Sequence, residues 1–402
     1  KNDRPVAELL AEWHERAEAV GLNSIVIAGI LDRERTVTIP DPDPVQVGLL
    51  SDTGLTAEDS TFGRPEVIRG FAAYMPEGGT RRQIEVFADR FLTDDQVALL
   101  VPDRSESRYT TADLLATEQR IITRAVDGVG IGRWTAAQTL VAKALERHTH
   151  LNEGQRSLVS QFATSGNSIE VGAGPAGTGK SAALAVIREL AEATGAPILG
   201  TALAARTAAG FERDTDIPST TLASLLGTAR DQGLAEGVVV VVDEAGMVGT
   251  RQLAGLSDLV EETSGKLILI GDHYQLSEIE AGGLFRALTQ RLPAVELTEN
   301  LRQTEPWERA ALTELRDGSA SRAVDIYGEK GRIVTTDCPI EAVEMAVKNW
   351  HHDVEEVGDI SQVLLIAYRN TTVDRLNQQA RSRIDQAGHL EGPALTAEDR
   401  TF

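Results

Sequence analysis

The octapeptide GPAGTGKS, residues 174–181, constrains this chain more than any other feature. It fits the pattern G-x-x-x-x-G-K-[ST], with the apolar run SIEVGAG (168–174) leading into it and a helical stretch after it. Glycines at this spacing let backbone N–H groups close around phosphate oxygens at the start of a helix. Gly174, Pro175, Ala176, Gly177, Thr178, Gly179, Lys180 and Ser181 are therefore expected to form a nucleotide-binding loop. Lys180 would reach the β and γ phosphates, and the Ser181 hydroxyl would ligate Mg²⁺. Lys180 is also the only lysine between Lys143 and Lys266. ATP and Mg²⁺ are the expected ligands.

A loop of this kind needs a strand before it and a helix after it, and the chain around it alternates in that way. Candidate strands are 168–174, PILGTA (197–202), VVVVVD (238–243), KLILIGD (266–272), AVELT (294–298) and QVLLIAY (362–368). An unbroken run such as VVVVV suits a strand buried on both faces, which implies a parallel sheet covered by helices. Before residue 150 the pattern differs. Stretches 65–75, 81–91, 111–126 and 135–148 carry apolar residues at helical spacing, Thr110 or Thr111 is placed to cap the third, and IPDPDP (39–44) reads as a linker.

The carboxyl ends of the later strands carry the remaining chemistry. Asp243 would hold Mg²⁺, and Glu244 beside it would act as general base for the water attacking the γ-phosphate. After the strand ending at Asp272 comes Gln275, an amide able to orient that water. Arg302, in ENLRQ, is placed to stabilise charge on the transferring phosphoryl group. Composition narrows the partners. With 39 basic and 61 acidic residues the formal charge is −22, which argues against coating duplex DNA by bulk charge but leaves room for a local nucleic-acid track. Cys338 is the only cysteine, so a disulfide framework is excluded. No apolar run approaches the roughly 20 residues that span a bilayer, and residues 1–21 lack the core of a signal peptide. The expectation is a cytoplasmic protein without membrane insertion.

The order of these motifs, with ALAARTAAGF and TTLASLL between the phosphate loop and DEAGMV, resembles the RecD-like superfamily 1B DNA helicases. Within them the chain looks most like the helicase portion of conjugative relaxase-helicases of the TraA/TraI (MobF) type. That tighter match rests on residues 202–226, 243–253, 279–288 and 364–381, and on the upstream LTAEDSTFGRPEVIRGFA and SRYTTADLLATEQR. The resemblance implies an α/β fold: a mostly helical N-terminal or linker region over 1–150, a RecA-like P-loop ATPase domain over 151–328, and the beginning of a second RecA-like domain over 329–402. It implies ATP-driven 5′ to 3′ translocation on single-stranded DNA, with other conjugation or recombination proteins as partners. Gln155 would recognise adenine, and Thr201, Arg206, Thr220 and Thr221 would lie along the single-strand track. His273 and Tyr274 depart from the family's usual pair before the glutamine. The family's later motifs have no counterpart, so this chain is expected to bind nucleotide, to hydrolyse it slowly and not to unwind DNA by itself. A RecD-type recombination or repair helicase, and a nucleotide-gated DNA-binding module, are the alternatives.

Overall fold

The structure, a computed structural model, describes residues 6–22, 26, 41–75, 78–101, 107–175, 177–272, 281–388, 396–397 and 400–401. The chain divides into two compact units, Lys1–Arg302 and Gln303–Phe402.

The centre of the first unit is a six-stranded sheet. Its strands, numbered after the short hairpin β1 (Val97–Val101) and β2 (Arg108–Thr111), are β3 (Ile169–Ala173), β4 (Ile198–Ala202), β5 (Ser219–Thr221), β6 (Val239–Val242), β7 (Lys266–Gly271) and β8 (Val295–Glu296). They run parallel in the order β5-β4-β6-β7-β3-β8. The valine run shows why the sheet is covered on both sides. Val239 and Val241 point into one apolar layer with Ile268, Ile270 and the helices Glu153–Thr164 and Lys180–Thr194. Val238, Val240 and Val242 point into the other, with Leu267, Leu269 and the helices Leu222–Gln232, Thr250–Glu262 and Leu284–Thr289. This is the RecA-like α/β arrangement expected of a P-loop domain.

Chain lying before residue 150 also covers the sheet. The helix Ala112–Asp127, capped by Thr111 through a 3.3 Å bond from the Leu114 N–H, buries Ile121 and Ala125 in the second layer. The helix Gln138–Arg147 buries Val141, Ala144 and Leu145 in the first. Ahead of them, the helices Pro42–Leu50, Arg64–Ala73 and Arg81–Leu92 pack with β1 and β2 around Phe62, Phe71 and Phe91. The antiparallel pair β1–β2 and the short strand β5 are elements that the sequence pattern did not single out.

One charged pair lies wholly inside the sheet. Lys266 on β7 is fully buried 3.4 Å from the equally buried Glu170 on β3, and its ammonium also donates to the Phe162 carbonyl at 2.5 Å. Ser165 and Gln161 donate to the same carboxylate.

In the second unit the helices Pro306–Arg316 and Ala320–Glu329 pair, with Trp307 set edge-on to Tyr327. The helices Pro339–Val357 and Asn370–Gln386 enclose Val343, Val347, Trp350 and Leu376. The strand expected at 362–368 is not formed as a ladder. Its inward residues Val363, Leu365 and Ala367 do pack on those helices, and the Trp350 indole N–H holds the Val363 carbonyl at 3.1 Å. Its outward residues Leu364, Ile366 and Tyr368 are 74%, 83% and 100% exposed. The alternation proper to a half-buried strand is present, but no neighbouring strand pairs with it among the described residues. No helix of the described residues is long and apolar enough to cross a membrane.

Candidate functional site

The phosphate loop leaves β3 at its carboxyl end and is pinned from both sides. The Gly174 N–H donates to the Gly271 carbonyl at the tip of β7 (2.9 Å). The Leu297 N–H donates to Ala173 and the Leu301 N–H to Gly177, each at 2.8 Å, so the chain following β8 lies along the loop. Gly177 and Gly179 adopt φ of +86° and +72°, a region that strains any residue with a Cβ. At Gly177 a Cβ would also come within 2.5 Å of the Arg302 Cβ. Lys180 opens the helix Lys180–Thr194, whose first N–H groups have no partner within the helix. Its ammonium folds back on the loop, donating to the carbonyls of Gly174 (2.8 Å) and Pro175 (3.2 Å). The Thr178 hydroxyl closes the turn on the Pro175 carbonyl at 2.9 Å. Ser181 is half-buried in the first turn of the same helix, and Ala176 lies outside the described residues.

Gln155 sits beneath this loop. It is the third residue of the helix Glu153–Thr164 and forms a capping box with Asn152: each backbone N–H is held by the other's side chain, at 2.9 and 3.0 Å. The same amide then donates from Nε2 to the carbonyls of Thr178 (3.0 Å) and Gly179 (3.1 Å). Only 1% of Gln155 is exposed. Both amide hydrogens are engaged, so the structure places Gln155 as a support of the loop with no donor left for an adenine edge. This burial is a feature that the sequence pattern did not reveal.

The tips of β6 and β7 bring carboxylates to the loop. Asp243 follows β6, its N–H bound to the Thr201 carbonyl at 2.9 Å. Glu244 is held at φ +53°, a left-handed conformation uncommon for a residue with a side chain. Gly246 permits a close approach of strand ends, since a Cβ there would meet the Asp272 carbonyl oxygen at 2.8 Å. Burial pulls the Lys180 ammonium below its ordinary range, against the opposing pull of Asp243, Asp272 and Glu244; Arg302 adds to the lowering. Burial likewise pushes the Asp243 carboxyl up, opposed by a hydrogen bond from the Glu244 backbone and by Lys180. Lys180, Asp243, Glu244, Asp272 and Arg302 thus form one electrostatic group. Asp272, buried at the end of β7, is one of these carboxylates. Arg302 is exposed, with its N–H fixed by the Asn300 side chain at 2.9 Å. Gln275, with His273 and Tyr274, lies outside the described residues.

These groups fit a divalent cation delivered with a nucleotide. Asp243, Asp272 and Glu244 all act electrostatically on Lys180, and burial outweighs the pull of that ammonium on the Asp243 carboxyl. Among the described residues no three His, Cys, Asp or Glu side chains converge as a metal site by themselves. The hydroxyl of Ser181 and the carboxylate of Asp243 are the hard oxygen donors that Mg²⁺ prefers, with phosphate oxygens completing the set.

The four residues expected along a DNA track divide in two. Thr220 and Thr221, on β5, are half-buried, Thr221 capping the helix Leu222–Gln232 through the Ser224 N–H (3.2 Å), and Arg206 is exposed on the helix Ala205–Thr215. Thr201 is completely buried, and its hydroxyl has no partner. It pairs with Thr220 across β4 and β5 and carries the Asp243 N–H, so it ties the two regions together from inside.

Residues 150–338 match the AAA_30 family, described as an AAA domain. The chain is 30% identical over 353 residues to a probable conjugal transfer protein TraA of Sinorhizobium fredii, covering 86% of this chain and 32% of that protein. It is 26% identical over 296 residues to the ATP-dependent RecD2 DNA helicase of Deinococcus radiodurans, covering 68% of this chain and 39% of that one. The solved Pif1 helicase of Candida albicans overlies 50% of this chain and 54% of its own at 20% identity, with a TM-score of 0.38. The chain spans about a third of the length of the TraA relatives it matches.

Proposed function

We propose that this chain, which belongs to the RecD-like superfamily 1 helicases related to conjugative relaxases, binds ATP with Mg²⁺ and couples its hydrolysis to 5′ to 3′ movement along single-stranded DNA in conjugative transfer. The observation that carries this reading is the gathering of Lys180, Asp243, Glu244, Asp272 and Arg302 about one loop, from the tips of three strands and the segment that follows a fourth.

In this reading the phosphates enter the helix N-terminus at Gly177–Ser181, and Lys180 exchanges the carbonyls of Gly174 and Pro175 for β and γ oxygens. Ser181 and Asp243 would hold Mg²⁺, which would neutralise phosphate charge when bound. Glu244 takes a proton from the attacking water, and Arg302 meets the charge that develops on the transferred group. Gln275 orients that water. Thr220, Thr221 and Arg206 contact the strand, and Thr201 relays between strand and nucleotide through its backbone tie to Asp243. The match to TraA extends over more of the chain than the match to RecD2, which favours conjugation over repair.

The test is ATP turnover with and without single-stranded DNA, using Lys180→Ala as the control. Turnover that rises with single-stranded DNA and disappears in the variant supports the reading. Turnover indifferent to DNA, or equal in the variant, overturns it.

A further inference from the structure

Three stretches that the nucleotide site does not use meet at one place in the first unit: residues 55–62, 249–253 and 281–283. Arg251 lays its guanidinium across Thr56, Nη1 donating to the carbonyl at 2.7 Å and Nη2 to the hydroxyl at 2.9 Å. Thr56 is completely buried, its hydroxyl 3.4 Å from that of Thr111. One residue further, the Ala57 carbonyl accepts from the Ala281 N–H at 3.2 Å. The Ser60 hydroxyl donates to the Gly282 carbonyl at 2.7 Å, and the Thr250 N–H to the Ala281 carbonyl at 2.8 Å. Asp113 stands 3.9 Å from the Arg251 guanidinium, whose side chain is 23% exposed.

The position of this cluster matters because of what it joins. Thr250 opens the helix that follows the Asp243–Glu244 turn, and residues 281–283 precede the helix that follows Asp272. The arm leaving the tip of β6 begins at the Asp243–Glu244 carboxylates of the nucleotide site and runs on to Thr250. At Thr250 this arm is tied to Ala281, and it and residues 281–282 are tied to the N-terminal module by Thr56, Ala57 and Ser60. Glu244 sits in this arm at φ +53°, a conformation that persists only where the surroundings hold it.

We infer that the N-terminal module is a clasp that fixes this arm for ATP turnover, with Arg251 as its positioning residue; this rests on the ATPase reading above. Arg251 touches neither nucleotide nor reacting atoms. It acts by keeping Glu244 where the chemistry needs it, a tolerance of roughly half an ångström. A two-pronged guanidinium suits the task because its fork grips a carbonyl and a hydroxyl at once.

The experiment compares the full chain with Arg251→Ala, Arg251→Lys and Thr56→Val. Three quantities are read: ATP turnover with single-stranded DNA, affinity for fluorescent ADP, and amide hydrogen exchange at Thr250 and Ala281. Arg251→Ala is expected to lower kcat about tenfold or more, the scale of a small displacement of a catalytic group, with ADP affinity within about twofold. Exchange at Ala281 should accelerate while that of β6 and β7 does not. Arg251→Lys should recover part of kcat through the Thr56 carbonyl, and Thr56→Val should lie between it and alanine. The inference is overturned if Arg251→Ala keeps wild-type kcat while Ala281 exchange shows the clasp open, if that exchange does not change, or if lysine rescues nothing. Should the wild type show no turnover, the ATPase reading fails by itself. The clasp is then judged on whether ADP slows Ala281 exchange in the wild type but not in Arg251→Ala; equal slowing in both overturns it.

Discussion

Replacing Gln155 by glutamate exchanges one nitrogen for oxygen beneath the phosphate loop and leaves the shape of the side chain unchanged. The capping box survives, because a carboxylate oxygen still accepts the Asn152 N–H that Gln155 now holds at 3.0 Å. What is lost is the pair of donors to the Thr178 and Gly179 carbonyls, at 3.0 and 3.1 Å, and a carboxylate then faces those two oxygens. Two hydrogen bonds at about 1 kcal/mol each give about 2 kcal/mol. If that energy serves to hold the loop open for phosphate, nucleotide affinity falls by about thirtyfold, at 1.4 kcal/mol per factor of ten. The loop sees phosphates and not bases, so the loss should be equal for fluorescent ADP and GDP in a titration with Mg²⁺. Gln155→Ala should weaken both to a similar degree and lose about 1 kcal/mol more in stability, from the broken cap. Weaker ADP binding with unchanged GDP binding would refute the reasoning and restore Gln155 as a reader of adenine. Unchanged affinity for both would show that the loop does not need the support.

Two further outcomes follow from buried charge. Burial raises the Asp243 carboxyl, and a group whose folded value is raised stabilises below its unfolded value and loses that contribution as pH rises through the raised one. At pH 7.5 the nucleotide-free protein is therefore strained by this carboxylate. Asp243→Asn should raise its melting temperature, by about 2–4 °C if the relief is about 1 kcal/mol. The gap should shrink at pH 5, and the variant should lose the stabilisation that Mg²⁺ and ATP give the wild type; thermal melts at both pH values check all three. Lys266→Ala leaves Glu170 buried without its cation and should cost about 3–5 kcal/mol by urea unfolding. Lys266→Met with Glu170→Gln should recover most of the loss.

The parts legible in the sequence were those written in adjacent residues. The phosphate loop, the valine run of β6 and the carboxylates after it each occupy a few consecutive positions, and their chemistry follows from local geometry. The strand at 362–368 was half legible: its alternation is real, but a ladder needs a partner that no local pattern supplies. Gln155 was legible as a motif, whereas its burial depends on a loop 23 residues later. Thr201 read as a contact residue because its segment resembles one that lines a single-strand track, and only the sheet shows it enclosed between β5 and β6. The Arg251–Thr56 clasp joins residues 195 positions apart. The stretches containing it were visible as family resemblance, yet nothing in them said that they touch.

The extended segment at 363–368 bears on how this protein behaves in solution. A stretch that pairs with no neighbouring strand among the described residues and leaves Leu364, Ile366 and Tyr368 bare is an adhesive surface for any similar segment that approaches it. Against that attraction stands the long-range repulsion of a formal charge of −22 at pH 7. Near pH 4.8, where that charge vanishes, the barrier is gone while the adhesive edge remains. The acidity of the chain thus acts as a colloidal shield, and its strength is set by pH and salt.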